Sequence, residues 1–156
     1  MAKKKSPVDI GSVELHNLDA VLRGINFLAQ FNLGELEKLI FRLKKISFKK
    51  GKTVVKEGEP GDSFYFISKG KVGVWIKKGL SKSLIRHLGP GEYFGEMALL
   101  TGSHRTATII VEEDAEFFVL SKDNFREILL GNPFLMDMIM QTSEKRKTEL
   151  IMEKGK

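Results

Sequence analysis

Between Ile46 and Leu120 the chain is broken by glycine every few residues, at 51, 58, 61, 70, 73, 79, 89, 91 and 95. Short β-branched and aromatic runs stand between these breaks: Thr53–Val55, Phe64–Ile67, Val72–Ile76, Ser83–Leu88, Ala107–Val111 and Glu116–Leu120. Short strands divided by turn signals at this spacing predict an antiparallel sandwich or barrel. Lys69-Gly70 and Lys78-Gly79 stand where hairpin turns are expected, because glycine accepts a positive φ without steric cost.

On both sides of this stretch the apolar spacing becomes helical. Leu15, Leu18, Val21, Leu22 and Ile25 recur every three or four residues, followed by Leu33, Leu36, Leu39, Ile40 and Leu43. Asn32 is placed to cap the second series, with Glu35 three residues on as in a capping box. Beyond Leu120, Ser121 caps a helix through Leu129, and Gly131-Asn132-Pro133 ends it and opens another. That last helix is apolar from Phe134 to Met140 and polar from Gln141 to Glu149, so its core stripe is expected to stop near Met140. The expected organisation is one domain: a disordered basic tail over 1–12, an N-terminal helical segment over 13–46, a β region over 47–120 and helices over 121–156.

Composition removes several classes of function. The 156 residues contain no cysteine, which excludes disulfides and thiolate chemistry. The three histidines lack the close spacing of a metal site, and no nucleophile motif or phosphate loop of the Gly-x-x-x-x-Gly-Lys type is present. No catalytic activity, cofactor or metal is therefore expected. No apolar run is long enough to span a membrane, and cytoplasmic residence is the expectation. The net charge of +6 invites a nucleic-acid or membrane-surface reading. Most of that excess lies near the two ends, though, and the basic run Lys38–Lys56 lacks the aromatic interleaving of a nucleic-acid groove beyond Phe41 and Phe48.

One segment breaks the strand pattern: Phe94-Gly95-Glu96-Met97-Ala98-Leu99-Leu100-Thr101-Gly102-Ser103-His104-Arg105-Thr106-Ala107-Thr108. It reads as a short helical turn from Gly95 to Leu100, a loop, and a return to strand at Arg105. Gly95 admits close approach to the backbone, and Ala98 and Ala107 leave room. Arg105 supplies a permanent charge with several donors, suited to a phosphate. Glu96 would repel phosphate but would accept hydrogen bonds from sugar hydroxyls. Together these describe a nucleotide with a compact phosphate; a structural Glu96–Arg105 ion pair is the simpler alternative.

The run Phe-Gly-Glu-Met-Ala-Leu-Leu followed by Arg-Thr-Ala-Thr resembles the phosphate-binding cassette of the cyclic-nucleotide-binding domain family. Lys50-Gly51, Glu57-Gly58-Glu59, Gly61-Asp62, Tyr65-Phe66-Ile67, Gly70, Val72 and Leu88–Gly95 extend the similarity, which covers roughly residues 25–150. The resemblance implies a mainly β fold, a jelly roll (double-stranded β-helix) with N-terminal helices and two C-terminal helices, binding cAMP or cGMP within the roll. It implies that Arg105 pairs with the cyclic phosphate and Glu96 takes the ribose 2′-hydroxyl. The backbone of Gly95, Met97 and Ala98 would line the phosphate end, with Thr106 and Ala107 closing the other side. His104 departs from the pattern, which usually has proline there. A residue of the last helix is expected to cap the base; Met136 and Met140 are the apolar candidates for this lid and Arg146 or Lys147 the polar ones.

The expected activity is that of a sensor. It binds a cyclic nucleotide, cAMP favoured over cGMP, and relays it through the C-terminal helices to an effector protein. No helix-turn-helix or other output domain fits after Met140, so DNA binding is not expected, and the chain reads as a stand-alone receptor or an excised module. The polar stretch at 141–149 argues for a monomer or weak dimer. Two alternatives are a degenerate fold serving as an interaction scaffold, and a basic nucleic-acid or membrane-surface binder.

Overall fold

The computed structural model describes residues 8–9, 31–102 and 104–155. The helical series expected over 15–25 lies outside the described residues, as does most of the expected tail. Within that tail Val8–Asp9 forms strand β1, which pairs with Lys44 and Lys45.

Helix α1 (Leu33–Arg42) begins at the expected capping box. Asn32 Oδ1 accepts from the Glu35 amide at 2.8 Å, and Glu35 Oε1 accepts from the Asn32 amide at 3.3 Å. Such a cap is worth about 1 kcal/mol. The helical segment was expected to run to Ile46. Instead α1 ends at Arg42 and strand β2 (Lys44–Phe48) begins at once, with Ile46 and Phe48 buried and Lys45 and Ser47 half-buried on the other face.

The roll continues with β3 (Thr53–Val55), β4 (Ser63–Lys78), β5 (Ser81–Leu88), β6 (Tyr93–Phe94) and β7 (Thr108–Ser121). All pairings are antiparallel. The long strands β4 and β7 run beside each other, and each serves both ends of the roll. The second half of β7 pairs with β2 and with Ser63–Ile67, whereas its first half pairs with β3 and with Val72–Trp75.

This corner replaces an expected hairpin. Lys69-Gly70 does not reverse the chain; it is a site of register shifts within one 16-residue strand. Gly70 has φ +88°, and a Cβ there would sit 2.5 Å from the Asp114 carbonyl oxygen. Turns and bulges both call on glycine for positive φ, so the residue type alone does not separate them. Lys78-Gly79 does form the β4–β5 turn.

Alternation along the strands makes two cores. Phe64, Phe66, Phe118 and Leu120 face the helices, joining Leu36, Leu39 and Ile40 of α1. Tyr65, Ile67, Ala115 and Phe117 face the interior of the roll. Helix α3 (Lys122–Leu130) is capped by Ser121, and α4 (Pro133–Lys154) by Asn132 with proline in its first turn. Phe125, Leu129, Leu135 and Ile139 anchor the two helices in the first core. No helix among the described residues is long and apolar enough to cross a membrane.

The basic run from Lys38 to Lys56 is laced with acidic partners. Arg42 pairs with Glu127, Lys45 with Glu116 and Lys49 with Asp114. The Lys50 amide donates to Asp114 at 2.8 Å, which holds that carboxyl below its ordinary range.

Replacing Gly70 by Ala tests the corner. The left-handed backbone and the collision with residues 114–115 together should lower unfolding free energy by about 2–4 kcal/mol, read from denaturant unfolding; a change within about 0.5 kcal/mol would show that the corner yields.

Candidate functional site

The segment that breaks the strand pattern forms α2 (Glu96–Thr101), seated between β6 and the loop leading to β7. Its ends are left-handed glycines, Gly95 (φ +97°) and Gly102 (φ +68°). Leu99 reaches the first core, and Arg126 of α3 donates to the Leu99 carbonyl at 3.4 Å. That fixes the helix and aims Glu96 and Ala98 inward, where both are buried.

Arg105 lies opposite. It was expected to open the returning strand, but β7 begins only at Thr108. Residues 104–105 instead pair with the β3–β4 loop: the Arg105 amide donates to the Glu59 carbonyl at 2.7 Å, and the Gly58 amide donates to the Arg105 carbonyl at 2.9 Å. His104 is exposed, and its backbone bridges Pro60. This double pairing supplies rigidity where proline is absent.

The Arg105 guanidinium is buried, at 5% exposure. Its Nη1 donates to the Gly95 carbonyl at 3.2 Å and its Nη2 to the Ser63 carbonyl at 2.9 Å. The Tyr65 ring lies 5.8 Å from its Cζ. Its ion-pair partner, Asp62, lies at 3.8 Å and is 88% exposed. Burial therefore holds this guanidinium below the usual arginine range. Two glycines make the arrangement possible. A Cβ on Gly95 would lie 2.8 Å from Arg105 Nη1, and one on Gly61 would lie 2.4 Å from the Ala98 Cβ.

Glu96 and Arg105 do not pair directly. Glu96 is 1% exposed, and both its oxygens accept from Arg146 Nη1 of α4, at 2.9 and 3.0 Å. Arg146 also stacks on Tyr93, with Cζ 4.8 Å from the ring centroid. Its Nε is buried with no acceptor among the described residues. Burial pushes the Tyr65 and Tyr93 hydroxyls upward, opposed at Tyr93 by a hydrogen bond with Thr142.

Glu96, Arg105 and Arg146 line one cleft of about 590 Å³ of non-atom space, part of it continuous with solvent. Gly95, Glu96, Met97, Ala98, Arg105, Thr106 and Ala107 all border it. The Thr106 hydroxyl lies 3.7 Å from the Met97 sulfur. The far end is apolar, walled by Val55, Val74, Ile85, Leu88 and Ile109.

The lid candidates divide sharply. Met136 packs on the helical core and Met140 is 44% exposed; neither borders the cleft. They sit on the first turns of α4, whose buried residues Leu135 and Ile139 join the helical core. The helix reaches the cleft only further on, with Arg146, Glu149 and Leu150, and Lys147 points to solvent. Sequence reasoning missed Arg86, Glu149 and Leu150. Arg86 lay in a recognised strand, and its pairing with Glu149 depends on where α4 crosses the sheet.

The family model for the cyclic nucleotide-binding domain matches residues 45–132, more than half of the chain. A cAMP-dependent protein kinase regulatory subunit from Debaryomyces hansenii is 34% identical over 134 residues, covering 83% of this chain and 28% of its own length. One from Colletotrichum orbiculare is 32% identical over 108 residues, covering 69% and 27%. Among solved structures, Sp-2Cl-cAMPS bound to PKAR CBD2 superposes with TM-score 0.78 at 28% identity, covering 89% of this chain and 90% of that one. The structure of cAMP bound PfPKA-R (141-441) gives TM-score 0.79 at 28% identity, covering 89% and 47%. The fold is a jelly roll with flanking helices. The chain belongs to the cyclic nucleotide-binding domain family, and it spans little more than a quarter of the length of the curated relatives it matches.

Glu96→Gln removes the charge that holds Arg146. Unfolding free energy should fall by about 1–3 kcal/mol, and amide exchange should rise over residues 142–154. Unaltered exchange there would show that α4 does not depend on this pair.

Proposed function

We propose that the domain binds a cyclic purine nucleotide in the cleft, cAMP in preference to cGMP, and passes its occupancy through α4 to a partner protein. The observation that carries this reading is the buried Arg105 cation, hydrogen-bonded to two carbonyls and set against an aromatic face, with an ion-pair partner, Asp62, that is itself exposed. Burying a cation is costly unless an anion meets it. A cyclic phosphate is such an anion, and compact enough to fit beside Gly95 and Ala98. Charge-assisted contacts to a guanidinium are about twice as strong as neutral ones.

Glu96 complements it. An ionised carboxylate has about four acceptor positions, and Arg146 occupies one on each oxygen. Acceptor capacity remains for the ribose 2′-hydroxyl. Gly95, Met97 and Ala98 would present backbone to the phosphate, with Thr106 and Ala107 on the facing side.

The base end favours adenine on two grounds. Its walls are apolar, and its polar members, Arg86 and Glu149, are paired with each other. Guanine carries more polar edge groups to satisfy than adenine, and leaving them unpaired costs affinity. The relatives named as cAMP-dependent protein kinase regulatory subunits support the same preference and make a protein kinase the first partner to test. The domain itself acts as a sensor and not as a catalyst. Arg146 is the relay: it holds the ligand-facing carboxylate and belongs to the terminal helix.

Calorimetric titration with cAMP and cGMP tests the reading. The cAMP affinity should exceed that for cGMP, and Arg105→Ala should weaken cAMP binding about ten- to a hundred-fold. Absence of binding by either nucleotide at high micromolar concentration would overturn the function, and unchanged affinity in Arg105→Ala would overturn the phosphate assignment.

A further inference from the structure

Past Ile139, helix α4 buries no apolar side chain. Its inner face continues as Thr142, Ser143, Arg146, Glu149, Leu150 and Glu153, all only partly buried. The end of this face is held by charge. Glu149 pairs with Arg86 of β5. Glu153 accepts from the Ser83 hydroxyl at 2.9 Å and lies 3.8 Å from Lys78 Nζ. Lys154 lies 3.7 Å from Glu57, whose other oxygen accepts from the Lys77 amide at 2.8 Å. All these partners belong to the β4–β5 hairpin or to a loop tied to it. Between the pairs sit Arg146 and Leu150, which border the cleft.

We propose that Glu149, Glu153 and Lys154, gripping the β4–β5 hairpin through Arg86, Ser83, Lys78 and Glu57, form an electrostatic clasp that positions Arg146 and Leu150 as the roof of the cleft and sets how long a ligand stays. Glu153 and Lys78 are positioning residues: neither borders the cleft, so their effect on a ligand passes through the helix. A single exposed ion pair is weak, but here several act in series on one helical segment with little apolar burial to replace them. Partly exposed pairs are screened by salt. The roof therefore loosens as ionic strength rises, while the apolar anchors at Leu135 and Ile139 keep the start of α4 in place.

The ligand arm rests on the nucleotide reading above; the helix arm does not. In the ligand-free protein, amide exchange over residues 144–154 should rise between about 50 mM and about 500 mM salt. Lys78→Glu and Glu153→Lys should each raise it at low salt, and combining them should restore the wild-type level, with the thermal midpoint unchanged within about 2 °C. Dissociation of a fluorescent cAMP analogue, chased with unlabelled cAMP, should be about three- to tenfold faster in each single variant and return to within about twofold in the pair. Exchange that ignores both salt and the single substitutions, or a double variant that fails to recover, overturns the clasp. Failure of the analogue to bind while exchange behaves as stated overturns the nucleotide reading and leaves the clasp standing.

Discussion

A buried guanidinium hydrogen-bonded to backbone carbonyls organises this molecule. Arg105 is held by the carbonyls of Gly95 and Ser63, against the Tyr65 ring. These partners come from two elements, with Ser63 and Tyr65 both on β4. Gly95 stands at the head of α2, Ser63 at the head of β4, and residues 58–60 pair with the backbone on either side of the arginine. The glycines at 61 and 95 exist at these positions because any side chain would strike α2 or the guanidinium itself. Carbonyl dipoles offset part of the desolvation cost, and a phosphate would offset it far more fully.

The two cores give this site its mechanical setting. Consecutive residues of β6 point to opposite faces: Tyr93 to the helices and Phe94 into the roll. Phe94 stacks on Tyr65, which supports Arg105, while Tyr93 supports Arg146. Two neighbouring aromatic residues thus back Arg105 and Arg146, two of the arginines that border the cleft. Glu96 stands between them in function. Buried and bonded to Arg146, it joins the ligand-facing wall to the terminal helix. A change in what Glu96 accepts would therefore change what holds α4.

The cassette was legible because its chemistry is contiguous: glycine, glutamate, two small residues and arginine lie within fifteen positions, and all seven expected residues border one cleft. The cap of α1 at Asn32 and that of α3 at Ser121 were legible for the same local reason. The roof was not. Hydrophobicity pointed to Met136 and Met140, but the helix lies over another core at those turns. Arg146 and Lys147 looked equivalent, yet neighbours on a helix point about 100° apart, and only the crossing of α4 over β5 decides which faces inward. The strand β2 was hidden because Lys44–Phe48 continues the apolar spacing of α1 in a basic run. The corner at Gly70 was hidden because turn and bulge make the same demand on the residue.

The central claim is that the Arg105 guanidinium is the phosphate receptor. Its most direct test is nuclear magnetic resonance of arginine side-chain nitrogens during titration with cAMP, with Arg105 and Arg146 assigned by substitution. The account predicts that the Arg105 side-chain resonances shift in proportion to occupancy from the first additions of ligand. Saturation of the protein with nucleotide while the Arg105 resonances stay in place would contradict it.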